Sequence, residues 1–235
     1  MKTLAIALVL LLSAPGLKAQ LRDATPAEQH VLDKAVAVIT RTLDQFNSND
    51  WDKTQDYYSG EIAVNPRPAV PLDIDNNFER QYMVRVNSDR YDRLIKPIVE
   101  KISDAMQQNN TALVLSLGKQ NKALVSLRVD VYINRQNLDF NLHGKDVFPL
   151  HITGTAYGYK VKGGENGNEG NSYWLLFGNW AAARPNQYGM GFSFVHPKKT
   201  PYIENIVMVI QGADDRINEL LNNVDWQAMN NALTP

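Results

Sequence analysis

Hydrophobic residues recur along this chain at two periods, and the change from one to the other divides it. Leu32, Ala35, Val36, Ile39, Leu43 and Phe46 keep helical spacing and predict a helix over 26–46. Thr25-Pro26-Ala27-Glu28 is its start signal. Thr25 caps, Pro26 suits the first helical position, and Glu28 completes a capping box. Asn47-Ser48-Asn49-Asp50 supplies the stop. A second stripe follows Ser88 and runs through Tyr91, Leu94, Ile95, Ile98, Val99, Ile102, Ala105 and Met106. Pro97 lies inside it and predicts a kink or a division. Gln107 to Asn110 closes that segment, and 113–117 fits a strand or a loop equally well.

From 123 the period becomes two. Val125, Leu127, Val129, Val131 and Ile133 alternate with Ser126, Arg128, Asp130, Tyr132 and Asn134, the pattern of a strand with one wet face. Further strands are expected at 81–87, 148–161, 172–180, 189–196 and 203–210. A short one is expected at 61–64, inside an otherwise irregular connection over 47–79, where Pro66, Pro68 and Pro71 oppose regular structure. Gly212-Ala213-Asp214-Asp215 opens a terminal helix carrying Ile217, Leu220, Leu221 and Val224, and Asp225 caps a last turn bearing Trp226 and Met229. Helices early and strands late give an α+β fold class. The expected architecture is an antiparallel meander sheet of about five to seven strands. Two long helices from the N-terminal half and one C-terminal helix pack it. A curved sheet wrapped on helices and a three-layer sandwich both satisfy this pattern.

The first nineteen residues stand apart. Lys2 is followed by the uncharged apolar run Thr3–Leu12, then Ser13-Ala14-Pro15-Gly16 and Ala19. That is the layout of a secretory signal peptide, although Leu17 departs from the small residue usual near the cut. The run is too short to span a bilayer, and no later segment is long and apolar enough. The organisation expected is a signal peptide over 1–19 and one α+β domain over 20–235, exported to the periplasm or the exterior.

Composition narrows the chemistry. The 235 residues carry 24 Lys+Arg against 25 Asp+Glu, a formal charge of −1, and no Cys. Loss of Lys2 and Lys18 with the leader makes it −3. Neither value is the footprint of a nucleic-acid-binding protein. Without cysteine there is no disulfide, thiolate nucleophile or Cys-ligated metal.

Motif searches are mostly negative. The glycine-rich stretch Gly163–Asn171 lacks the Lys-Ser/Thr of a phosphate loop and reads as a hairpin tip, with Glu165 and Glu169 as calcium-ligand candidates. Asp73-Ile74-Asp75 begins like a calcium loop, but Phe78 and Val84 occupy the positions that need Gly and Glu. His30, His143, His151 and His196 show no metal-ligand spacing. Gly191-Phe192-Ser193 starts a nucleophile motif that Val195 ends. Asp214/Asp215 suit the first turn of a helix through its dipole.

Aromatic residues are the denser signal. Tyr157, Tyr159, Trp174, Trp180 and Tyr188, with Arg184 in an adjoining loop, are the candidate ligand-binding residues. Exposed, they form a stacking platform for sugars, peptides or lipid chains; buried, they are core. No catalytic residue, metal or cofactor is assigned. The leading expectation is a non-catalytic exported protein that binds a small ligand or a cell-envelope protein through that face. The alternatives are a structural accessory of an envelope assembly, and a hydrolase pairing Asp or Glu with His143, His151 or His196.

Overall fold

The computed structural model describes residues 21–46, 49–53, 56–58, 61–63, 70–74, 78–138, 141–142, 144–163, 171–180, 184–186, 189–197 and 200–234. The signal-peptide segment, His143, Tyr188, the calcium candidates Glu165 and Glu169, and the prolines 66 and 68 lie outside them.

Helix α1 (Pro26–Leu43) begins as its sequence dictates. Thr25 Oγ1 accepts from the Glu28 N–H, and Glu28 Oε2 accepts from the Thr25 N–H at 2.8 Å. The box has a third member that spacing did not indicate. Arg22, in the two-residue strand β1 (Leu21–Arg22), makes two 2.7 Å bonds to Glu28. α1 buries Leu32, Ala35, Ile39 and Leu43 at helical spacing. The second helical segment is divided at its proline. A π-turn over 91–95, closed by the Lys96 N–H on the Tyr91 carbonyl, leads into α2 (Lys96–Gln107). Pro97 has no N–H to give, so the ladder is re-spaced around it. Ser88 caps the entry, as expected, with Oγ accepting from the Tyr91 N–H at 3.1 Å.

The next element corrects the sequence reading. Residues 113–117 are neither strand nor loop. They belong to α3 (Thr111–Val125), capped by Asn110 and running directly into the sheet. α2 and α3 form a hairpin that buries little: Ile98 and Ala105 from α2. Val99, Met106, Leu113 and Leu115 stay exposed.

The seven-stranded sheet comprises β2 (Trp51–Lys53), β4 (Phe78–Val84), β5 (Ser126–Ile133), β6 (Val147–Leu150), β7 (Tyr157–Val161), β8 (Ser172–Gly178) and β11 (Asn205–Gln211). Its order is β2-β4-β5-β11-β8-β7-β6, antiparallel throughout. The α+β class is therefore as expected. The order adds that two three-stranded meanders are joined by β11 in the middle. β3 (Ile62–Ala63) pairs with β1 and bridges to Ile74, and β9 (Arg184–Asn186) pairs with β10 (Gly189–Gly191). Trp51, placed by sequence in the irregular connection, is a buried residue of an edge strand. The expected strand 189–196 reduces to β10, outside the main sheet.

α1, α4 (Asp214–Asn223) and a 3-10 segment (Trp226–Ala232) line one sheet face, packing Leu32, Ile39, Ile217, Leu220 and Met229 on Phe78, Val129, Leu175 and Met208. The other face has a smaller core of Leu138, Leu176, Trp180, Met190, Phe192, Val207 and Val209 under the 134–138 and 189–194 segments. With both faces covered, β11 is buried from Asn205 through Ile210, and its apolar run Ile206–Ile210 is continuous rather than alternating.

Arg80 ties the helical layer to the sheet. Its side chain is fully buried on the helix-facing side of β4. It bonds both oxygens of Asp56 at 2.6 Å and Asp44 at 2.9 Å, and lies 5.8 Å from the Phe78 ring centroid. Burial opposes its charge, but Asp56 and Tyr82 prevail and hold its pKa above the ordinary arginine value. Removing one side of a buried pair leaves the other charge uncompensated. Arg80→Ala should therefore lower unfolding free energy by about 3 kcal/mol or more in urea titration; a loss below about 1 kcal/mol would show that the network is dispensable.

Glu28 makes stability depend on pH. The Arg22 hydrogen bond dominates, with burial opposing and Thr25 assisting, and the carboxyl falls from 4.5 to about 2. A depressed carboxylate contributes above its unfolded pKa and loses that contribution as pH falls towards its folded value. The wild type should exceed Glu28→Gln by about 2 kcal/mol above pH 5, after allowance for the partly exposed Arg22, and the difference should vanish between pH 4.5 and 2.

Candidate functional site

The candidate residues sit where one expected strand became two. The sequence pattern predicts a strand over 148–161, but Thr153-Gly154-Thr155 turns the chain and makes β6 and β7 a hairpin. Thr155 closes the turn, its N–H and Oγ1 both donating to the Ile152 carbonyl. Gly154 has φ +91°, and a Cβ there would lie 2.3 Å from the Gln227 nitrogen. Only glycine allows the turn to rest on the 3-10 segment, where Asn230 Nδ2 donates to the Gly154 carbonyl at 2.9 Å.

Alternation along β7 then sets the faces. Gly158 and Lys160 look towards the helices. Lys160 Nζ meets Asp214 at 2.5 Å at the start of α4, and Asn171 and Tyr173 bond the same carboxylate. The resulting Asp214 pKa lies below the ordinary value: burial raises it, but Lys160 and Asn171 outweigh that. The dipole role expected of Asp214 is thus joined by a strand-to-helix clasp.

Tyr157 and Tyr159 look the other way. Their rings are near-parallel, 17° between planes with centroids 6.3 Å apart. Tyr157 is 38 % exposed and Tyr159 is partly buried. Trp174 stands directly opposite Tyr159 across the β7–β8 ladder, with Nε1 donating to Ser172 Oγ at 3.0 Å. Burial, then the neighbouring Tyr157, raises the Tyr159 phenol above the usual tyrosine range, so it keeps its donor proton at neutral pH. Three of the six candidates are thus brought together. Trp180 is not part of the group. It is fully buried, with Nε1 on the Phe177 carbonyl and its ring edge-on to Phe192 at 4.9 Å, because the chain leaves the sheet after Gly178 and folds it under the 189–194 segment. Arg184 contributes backbone to β9; its side chain, like Tyr188, lies outside the description.

Two open clefts flank the hairpin. The first, of about 390 Å³, is lined by Tyr157, Tyr159, Pro149, His151, Thr153 and Thr155 among others. The second, about 450 Å³, lies between 150–153 and the C-terminal helices, where Tyr173, Asn218, Leu221, Asn222, Asp225 and Trp226 line it. Leu150, His151, Ile152 and Thr153 line both.

Comparison with protein-family models, curated proteins and solved structures finds no match to this chain.

Among the described residues, the titratable groups show no reacting constellation. His196 Nδ1 lies 3.0 Å from Glu204, but the same carboxylate accepts from the Val195 and His196 N–H groups, and the imidazole stacks on Tyr202 at 3.7 Å. This pair holds a loop and lines neither cleft. Among the described residues, no hydrogen bond or ion pair joins His151 to a carboxylate, and no three His, Asp or Glu are grouped to hold a metal.

Sequence reasoning named His151 only as a partner in the hydrolase alternative, and it missed Thr153 and Thr155 as cleft residues, and with them Asn218 and Asn222 across the second cleft. The Thr-Gly-Thr turn was the available signal, overlooked because apolar residues continue on both sides of it. Gly154→Ala tests its role. It should cost at least about 2 kcal/mol in urea unfolding through the left-handed backbone and the collision with Gln227. Gly118→Ala, in open space within α3, should instead be neutral or mildly stabilising.

Proposed function

We propose that this chain is an exported, non-catalytic binding protein that takes its ligand on Tyr157 and Tyr159, with Trp174 beside them. The observation that carries this reading is the near-parallel, partly exposed tyrosine pair bordering an open cleft. Aromatic rings left at a surface in a common orientation forgo burial, and a ligand face restores it. His151 and Asp225 both line the second cleft, but no hydrogen bond or ion pair joins them and Asp225 caps the Gln227 N–H, which favours binding over hydrolysis. Export rests on the sequence layout of 1–19, and among the described residues no helix is long and apolar enough to cross a membrane.

The second reading, an accessory of an envelope assembly, draws on a different place. Val99, Met106 and Leu115 are exposed on the α2–α3 hairpin, which suits a protein contact.

A ligand that binds the native state raises its unfolding temperature by mass action. Screening the purified protein against glycans, lipids and envelope extracts should give a shift that Tyr157→Ala and Trp174→Ala abolish while their own unfolding stays cooperative. Met106→Ser/Leu115→Ser should leave that shift in place. A shift lost only in the hairpin variant would replace the binding reading with the accessory one.

A further inference from the structure

We infer that the ligand is a neutral oligosaccharide that stacks on Tyr157 and Tyr159 and continues over the β6 edge into the second cleft; this rests on the binding reading above.

Charge sets the ligand class. None of the residues lining the first cleft is Asp, Glu, Lys or Arg. The second has one, Asp225, whose Oδ1 already accepts from the Gln227 N–H at 3.1 Å. An anionic ligand would lose hydration in either cleft without meeting a counter-charge, and a cation would in the first. The polar groups present are hydroxyls, an imidazole and carboxamides: Thr153, Tyr157, Tyr159, His151, Asn218 and Asn222. Each can donate and accept, which is what a sugar hydroxyl requires of its partner. The tyrosine rings supply the remaining element, an apolar face for the C–H side of a pyranose.

The edge strand argues against a peptide. Lys162 N–H bonds the Asp146 carbonyl, so in this register 148/160 and 150/158 are the hydrogen-bonded pairs. Pro149, opposite Tyr159, therefore turns its backbone to the free edge and has no N–H to offer an added strand. An acyl chain fits no better, because these clefts are open and would leave threonine, asparagine and histidine groups unsatisfied beside it.

Length follows from the shared wall. Leu150 to Thr153 form a single strip with one cleft on either side. A ligand seated on the tyrosines reaches Asn218 and Asn222, at i and i+4 on the exposed side of α4, only by crossing that strip as a chain.

Calorimetric titration of the purified protein with linear neutral gluco-, manno- and xylo-oligosaccharides of one to six units tests this, with an oligouronate as the charged control. Affinity should rise about tenfold or more between two and six units of one series, and the oligouronate should bind more weakly than its neutral counterpart. Asn218→Ala/Asn222→Ala, at exposed positions, should collapse the length dependence so that two- and six-unit ligands bind alike. Tyr157→Ala should weaken every length. Binding that does not depend on length overturns the edge crossing. Absence of saccharide binding, with a peptide or lipid held in a Tyr157-dependent way, overturns the ligand class and leaves the platform standing. Saccharide binding indifferent to Tyr157 overturns both.

Discussion

A guanidinium with no access to water holds this fold in register. Arg80 projects from the middle of β4 between Phe78 and Tyr82, and apart from the Tyr82 hydroxyl its partners come from outside the strand: the two oxygens of Asp56, the Asp44 carboxylate, and the Thr40 carbonyl at 3.4 Å. The last two lie at the C-terminal end of α1, where the helix dipole favours a cation. The consequences extend outward. Gln45, just past that end, accepts from the Asp225 N–H at 2.6 Å, and α1 packs along the 3-10 segment that follows. That segment receives the Gly154 turn, and the turn aims Tyr157 and Tyr159. A charge buried on one side of the sheet thus helps to position rings exposed on the other.

Two buried asparagines do comparable work where β5 ends. Asn134, at φ 53°, donates to the Leu72 and Tyr202 carbonyls and accepts from the Glu204 N–H. Asn205 exchanges bonds with the Arg135 backbone. Both are fully buried, and these bonds compensate their amides. The clasp fixes where the chain leaves the sheet and where β11 enters it, and so fixes the register of the join between the two meanders.

Much of this was legible in local pattern. The Thr25–Glu28 box, the break at Pro97, the Ser88 and Asp225 caps and the alternation of 126–133 are short-range signals, and each has a local physical cause. What escaped depends on distance or on context. Apolar residues surround the first turns of α3, at 113, 114, 115 and 117, so no stripe marked it as a helix. The 148–161 run concealed a turn whose glycine is needed only because Gln227 approaches it. Trp180 matched the aromatic density of its neighbours, and only the exit of the chain after Gly178 decided that it is core. Of the site, the Tyr157–Tyr159–Trp174 group follows from strand parity, whereas the second cleft requires elements about 65 residues further along.

The place of β11 has a consequence for how the molecule comes into being. It is the last strand of the sheet in chain order, yet it lies between β5 and β8 and buries both faces. Until residues 205–211 are available, the β2-β4-β5 and β6-β7-β8 meanders have no shared neighbour, and each presents an unfilled hydrogen-bonding edge. Closing the sheet then joins strands more than 70 residues apart in a single step, which places this topology among the slow, non-local folders. A nascent chain of this design stays loose until late, and a loose chain can still be threaded through a narrow channel.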